Sequence, residues 1–82
     1  MYSVELSQHS QKFLEKLPTK VKERIEDRLK NLATEPIPSD AKFIGRHNSD
    51  KVFRYRIGDY RALYKIKEQT IVVLITKIDK RE

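Results

Sequence analysis

Val52-Phe53-Arg54-Tyr55-Arg56-Ile57-Gly58-Asp59-Tyr60-Arg61-Ala62-Leu63-Tyr64 alternates apolar or aromatic residues with basic ones on both sides of a Gly-Asp pair. A period of two marks strands with one buried face, and a two-residue turn with Gly first suits a type II′ hairpin. Turn length sets the antiparallel register, so Ile57 is expected opposite Tyr60, Arg56 opposite Arg61, Tyr55 opposite Ala62 and Arg54 opposite Leu63. Phe53, Tyr55, Ile57, Tyr60, Ala62 and Tyr64 then form one face, suited to packing beneath helices, which assigns Tyr60 and Tyr64 to the core rather than to base stacking. Arg54, Arg56 and Arg61 share the other face. Like charges placed directly opposite one another cost roughly a few tenths of a kcal/mol, so a structural role does not ask for this arrangement.

Outward from the hairpin, the same periodicity predicts strands over Lys42 to Ile44, Val52 to Ile57, Tyr60 to Ile66 and Thr70 to Ile78, a β-meander. Ile71-Val72-Val73-Leu74-Ile75 is apolar without alternation, which suggests a central strand covered on both faces, one cover being helical. Upstream, the pattern switches to helical spacing. Tyr2 to Leu6 reads as a short strand, and Ser7 as the N-cap of a helix carrying Phe13, Leu14 and Leu17 that Pro18 stops. Thr19 is expected to cap a second helix, with Val21, Ile25, Leu29 and Leu32 on its apolar stripe. Glu35-Pro36-Ile37-Pro38-Ser39-Asp40 breaks that helix and leads into the meander. No internal repeat or low-complexity tract interrupts the chain. The expectation is a single α+β domain over residues 1–82, two N-terminal helices on a mainly antiparallel sheet in the order βααββββ.

The bulk numbers bound the function. Eighty-two residues make one compact core without room for a large cofactor, so function belongs on the surface. Eighteen Lys and Arg against twelve Asp and Glu leave a net charge of +6, which favours polyanionic partners, nucleic acid before an anionic membrane. A chain that is 37% charged is equally that of a heat-adapted protein with a solvated surface. The absence of cysteine excludes disulfides, iron-sulfur clusters and thiolate zinc sites. No stretch of about 18 apolar residues is present to cross a bilayer, and the N-terminus lacks the regions of a signal peptide, so a soluble cytoplasmic protein is expected.

Guanidinium groups gathered on a sheet suit phosphate, because Arg presents forked donors, stays charged and stacks on bases. A solvated charged face is the competing account, and three converging arginines leave the two level. His47, in the Arg46-His47-Asn48-Ser49-Asp50 turn, reads as incidental, as does His9.

The order of elements, the Leu17-Pro18 break, the hairpin Tyr55-Arg56-Ile57-Gly58-Asp59-Tyr60-Arg61 and the ending Thr76-Lys77-Ile78-Asp79-Lys80-Arg81-Glu82 together resemble the RelE/ParE toxin superfamily over nearly the whole chain. The resemblance implies a ribosome-dependent mRNA endonuclease that needs no metal or other cofactor. Attack by the adjacent ribose 2′-hydroxyl would cut a phosphodiester in the ribosomal A site and leave a cyclic phosphate. By this resemblance Arg61, Arg81 and Arg56 are the catalytic set, and Arg54, Lys80, Lys65 and Arg46 bind RNA. Preorganised guanidiniums such as Arg61 and Arg81 would hold the charge that develops on the phosphate oxygens. The family places a tyrosine several residues beyond this arginine, a place that the sequence to Glu82 does not reach; its role is expected to be lost or taken by another group. The cluster of arginines contains no group suited to be a general base, which leaves a lysine or a ribosomal group.

The resemblance also implies a partner, a RelB-like antitoxin with an acidic amphipathic segment, bound to a toxin that is monomeric alone and able to form a heterotetramer with it. Two other functions fit the same fold: a ParE-like inhibitor of DNA gyrase, whose relatives generally lack the full basic set, and a catalytically inactive RelE-fold binding protein.

Overall fold

The computed structural model describes residues Met1–Arg81; Glu82, the last residue of the expected domain and of the terminal motif, lies outside the described residues. The elements are β1 (Ser3–Leu6), α1 (Gln8–Glu15), α2 (Thr19–Lys30), a 3-10 turn (Asn31–Ala33), β2 (Ala41–His47), β3 (Asp50–Ile57), β4 (Tyr60–Lys67) and β5 (Val72–Lys80). They form one five-stranded sheet in the order β1-β5-β4-β3-β2. Strand β1 runs parallel to β5 and every other neighbouring pair is antiparallel. This is the expected α+β class and order, with the 3-10 turn added.

Both helices cover one face of the sheet. Leu14 of α1, Ile25 and Leu29 of α2 and Leu32 of the 3-10 turn pack with Phe53, Tyr55, Ile57, Ala62, Tyr64, Ile66, Val73, Ile75 and Ile78. Ser7 caps α1 by accepting from the Ser10 amide at 3.1 Å, as its short polar side chain favours. Ser10, fully buried, donates its hydroxyl to the Ile75 carbonyl at 3.1 Å and so ties α1 to β5.

Three expectations need correction. Thr19 does not cap α2; Pro18 holds the cap position without a side-chain bond, and Thr19 is already helical. The proline ring sets φ at −55° while ψ stays extended at 146°, so the chain turns into the helix one residue earlier than the hydroxyl suggested. The apolar run Ile71 to Ile75 is not covered on both faces: Val73 and Ile75 are buried under the helices, Val72 and Leu74 are half-buried on the open face, and Ile71 precedes the strand at φ 57°, half-exposed. The strand before the hairpin is longer than Lys42 to Ile44, because Asn48 and Ser49, both at positive φ, make a two-residue turn that zips β2 to β3 from His47 and Asp50 onward.

Candidate functional site

The hairpin register is the one read from turn length, with Ile57 opposite Tyr60, Arg56 opposite Arg61, Tyr55 opposite Ala62 and Arg54 opposite Leu63. Gly58 has φ 57° at the first turn position, as a II′ turn requires, and Asp59 is not among the positive-φ residues. The aromatic set lies in the core: Tyr64 is fully buried, stacked on Phe53 at 5.5 Å, and Tyr60 meets the Phe13 edge at 6.0 Å. Burial pushes the Tyr64 hydroxyl well above the usual tyrosine range, and it donates to the Pro36 carbonyl at 2.8 Å.

On the opposite, helix-free face, Arg54, Arg56 and Arg61 line a cavity of about 310 Å³ together with Lys42, Arg81 and Asp40. Lys42 arrives because it pairs with Arg54 across β2 and β3. Arg81 arrives through the hairpin turn itself: its amide donates to the Asp59 carbonyl at 2.6 Å and its guanidinium reaches the Gly58 carbonyl at 3.5 Å. Like charges on Arg56 and Arg61 do oppose one another, and a carboxylate answers from the other side. Asp79 of β5 pairs with Arg61, lies 3.5 Å from its Nε and 3.9 Å from Lys77 Nζ.

Asp40 is anchored from behind the sheet. Arg28 of α2 donates to Asp40 at 3.0 Å and to the Tyr55 hydroxyl at 3.1 Å, with its guanidinium 5.1 Å from the Tyr55 ring centroid. The hydrogen bond with Tyr55 holds the Arg28 guanidinium above even its ordinary high value. The five cations and one carboxylate that line this cavity among the described residues can seize a phosphodiester, and fixed guanidiniums in that place stabilise added charge on its oxygens.

Of the seven residues expected at the site, Arg54, Arg56, Arg61 and Arg81 are brought together and three are not. Lys65 shares the arginine face but sits further along β4, 2.7 Å from His47 Nδ1. Lys80 pairs with Tyr60, whose side chain faces the helices, so strand alternation turns it away from the cavity. Arg46 pairs with Lys51 on that same side and lines a separate depression of about 530 Å³ at the far end of the sheet, bonding the Ser49 carbonyl. Lys42, Asp40 and Asp79 are the members that the sequence reading missed. Lys42 and Asp79 follow from alternation once the β2 and β5 registers are known; Asp40 lies in a prolyl loop without a periodic signal.

No helix among the described residues is long and apolar enough to cross a membrane. Comparison with known proteins agrees with this geometry throughout the chain. "Putative toxin RelE1" of Methanocaldococcus jannaschii is 33% identical over 82 residues, 99% of this chain and 91% of the relative. A chain of the archaeal RelE-RelB complex from Pyrococcus horikoshii superposes with a TM-score of 0.87 at 28% identity, covering 98% of this chain and 94% of that one. A chain of the toxin-antitoxin complex RelBE2 from Mycobacterium tuberculosis gives 0.81 at 28% identity, with 98% of each chain covered. Residues 4–82 match the family described as ParE toxin of type II toxin-antitoxin system, parDE, and the chain belongs to that toxin family.

Proposed function

We propose that this toxin is a ribosome-dependent mRNA endonuclease that cuts in the A site through attack of a ribose 2′-hydroxyl on the neighbouring phosphodiester, without a metal. The observation that carries the reading is the convergence of Arg54, Arg56, Arg61 and Arg81 with Lys42 on one cavity. Arg61 and Arg81 hold the phosphate as it gains charge, with Arg56 beside them, and Arg54 and Lys42 grip the flanking backbone. Guanidiniums held on strands and by the hairpin turn need little reorganisation when that charge develops, which is where electrostatic catalysis gains most.

Two of the most similar structures are toxin-antitoxin complexes, which supports a RelB-like antitoxin as the partner of this chain. A net charge of +6 makes an acidic segment the complementary one, folded over the cationic surface in the cytoplasm. The toxin is read as monomeric alone and as part of a heterotetramer with the antitoxin.

Gyrase inhibition is the second reading, favoured by the ParE description of the matching family. The purified protein, added to a translation extract with and without ribosomes, separates the two when mRNA 5′ ends are mapped by primer extension and gyrase-dependent DNA breaks are scored in parallel. Cuts at A-site codons that require ribosomes are expected. DNA breaks without RNA cuts establish gyrase as the target, and neither outcome leaves a binding protein without activity.

A further inference from the structure

The cavity supplies cations in abundance, but 2′-hydroxyl attack also needs a group that takes a proton, and a guanidinium cannot accept one. Among the described residues Asp40 is the single carboxylate in the lining. It lies in the turn just before β2, at the sheet edge, where it lines both this cavity and a second depression with Tyr55. Arg28 holds its Oδ2 at 3.0 Å and is itself braced on Tyr55, while Oδ1 makes no hydrogen bond among the described residues. A carboxylate fixed through one oxygen and open at the other is a positioned acceptor. Asp79, the other carboxylate near Arg61, has Oδ1 against Arg61 and Oδ2 against Lys77 and does not line the cavity.

We infer that Asp40 is the proton acceptor for the reacting 2′-hydroxyl and that Arg28 is its positioning residue, an assignment that rests on the nuclease reading above. Asp40 Oδ1 takes the hydroxyl proton as the 2′-oxygen bonds to phosphorus and the bond from phosphorus to the 5′-oxygen breaks. The leaving 5′-oxygen takes a proton from water, and Asp40 later returns its own to solvent. The products are a 2′,3′-cyclic phosphate and a 5′-hydroxyl, with no oxidant, reductant or further reactant consumed.

Among the described residues, the charged and titratable groups around Asp40 are Arg28 from α2, Glu35 from the prolyl loop, Lys42 from β2, Arg54, Tyr55 and Arg56 from β3, Arg61 and the buried Tyr64 from β4, and Arg81 after β5. Lys42 lines the same cavity and can also act as a base once deprotonated, so it is tested alongside.

The test is the single-turnover cleavage rate on programmed ribosomes as a function of pH, for the wild type, Asp40→Asn, Asp40→Glu, Lys42→Ala and Arg61→Ala. Asn keeps the shape and an oxygen for Arg28 but takes no proton. Asp40→Asn is expected to cut about a hundredfold more slowly or worse, to bind ribosomes as the wild type does, and to lose the wild-type dependence of rate on pH. Asp40→Glu should regain part of the rate and keep that dependence. A rate for Asp40→Asn within roughly threefold of wild type, or a slower rate with the wild-type pH profile intact, overturns the assignment while leaving the nuclease standing. A wild type that does not cut at all overturns the nuclease reading and this inference with it.

Discussion

Arg61 stands between two opposed charges, the guanidinium of Arg56 across β3 and β4 and the carboxylate of Asp79 across β4 and β5. The pair with Asp79 is half-exposed, where an ion pair contributes little stability, so its main effect is to fix where the guanidinium points. Each charged hydrogen bond to a phosphate is worth about 1.5 to 3 kcal/mol, so Arg61→Ala should cut mRNA about ten- to a hundredfold more slowly, read as single-turnover rate. On the covered face, Tyr64 makes the opposite kind of contribution. Its folded form holds the hydroxyl proton more tightly than the unfolded chain does. The stability it supplies is therefore complete below the ordinary tyrosine value of about 10 and is lost as pH climbs toward the raised folded value. Tyr64→Phe should lower stability at neutral pH by about 1 kcal/mol, since the Pro36 carbonyl loses its donor, and should flatten the alkaline decline in urea titrations.

Elements decide which residues meet. The turn at Gly58 and Asp59 sets the β3 and β4 register and also receives Arg81, so backbone geometry and chemistry share one joint. At φ 57° a Cβ is strained, and an added one would sit 3.4 Å from the Arg24 guanidinium. Gly58→Ala should cost about 1 to 2 kcal/mol in urea unfolding and slow cleavage by displacing Arg81. The hairpin was legible in the sequence because turn length and a period of two leave one register open. The start of α2 was not: Thr19 looks like a cap in isolation, and the fixed φ of Pro18 takes that place. The run Ile71 to Ile75 misled for another reason, since it reads alike whether a strand is covered on one face or two. Ser10 gave no signal at all, because a serine inside an amphipathic helix reads as solvent-facing until its partner, the Ile75 carbonyl, is known.

For the whole molecule, the sheet separates two jobs, core on the helical face and charge on the other. A net charge of +6 predicts that RNA affinity falls steeply with salt, and Lys42→Ala should reduce the slope of log affinity against log salt by about 0.7 in titrations with single-stranded RNA. Reading charge along the chain overestimates the site, because Lys80 and Arg46 are basic neighbours in sequence that alternation turns to the helical side. It also underestimates it, because Lys42 comes from a strand whose partner is known only after folding and Asp40 from the turn before that strand. The separation by face offers the most direct test of the central claim that RNA is cut on the arginine face. Cleavage of mRNA on ribosomes is measured for the wild type, Arg61→Ala and Arg46→Ala at equal concentration. A loss of about ten- to a hundredfold is expected for Arg61→Ala and a near wild-type rate for Arg46→Ala. Equal losses in both, or full activity in Arg61→Ala, would contradict that claim.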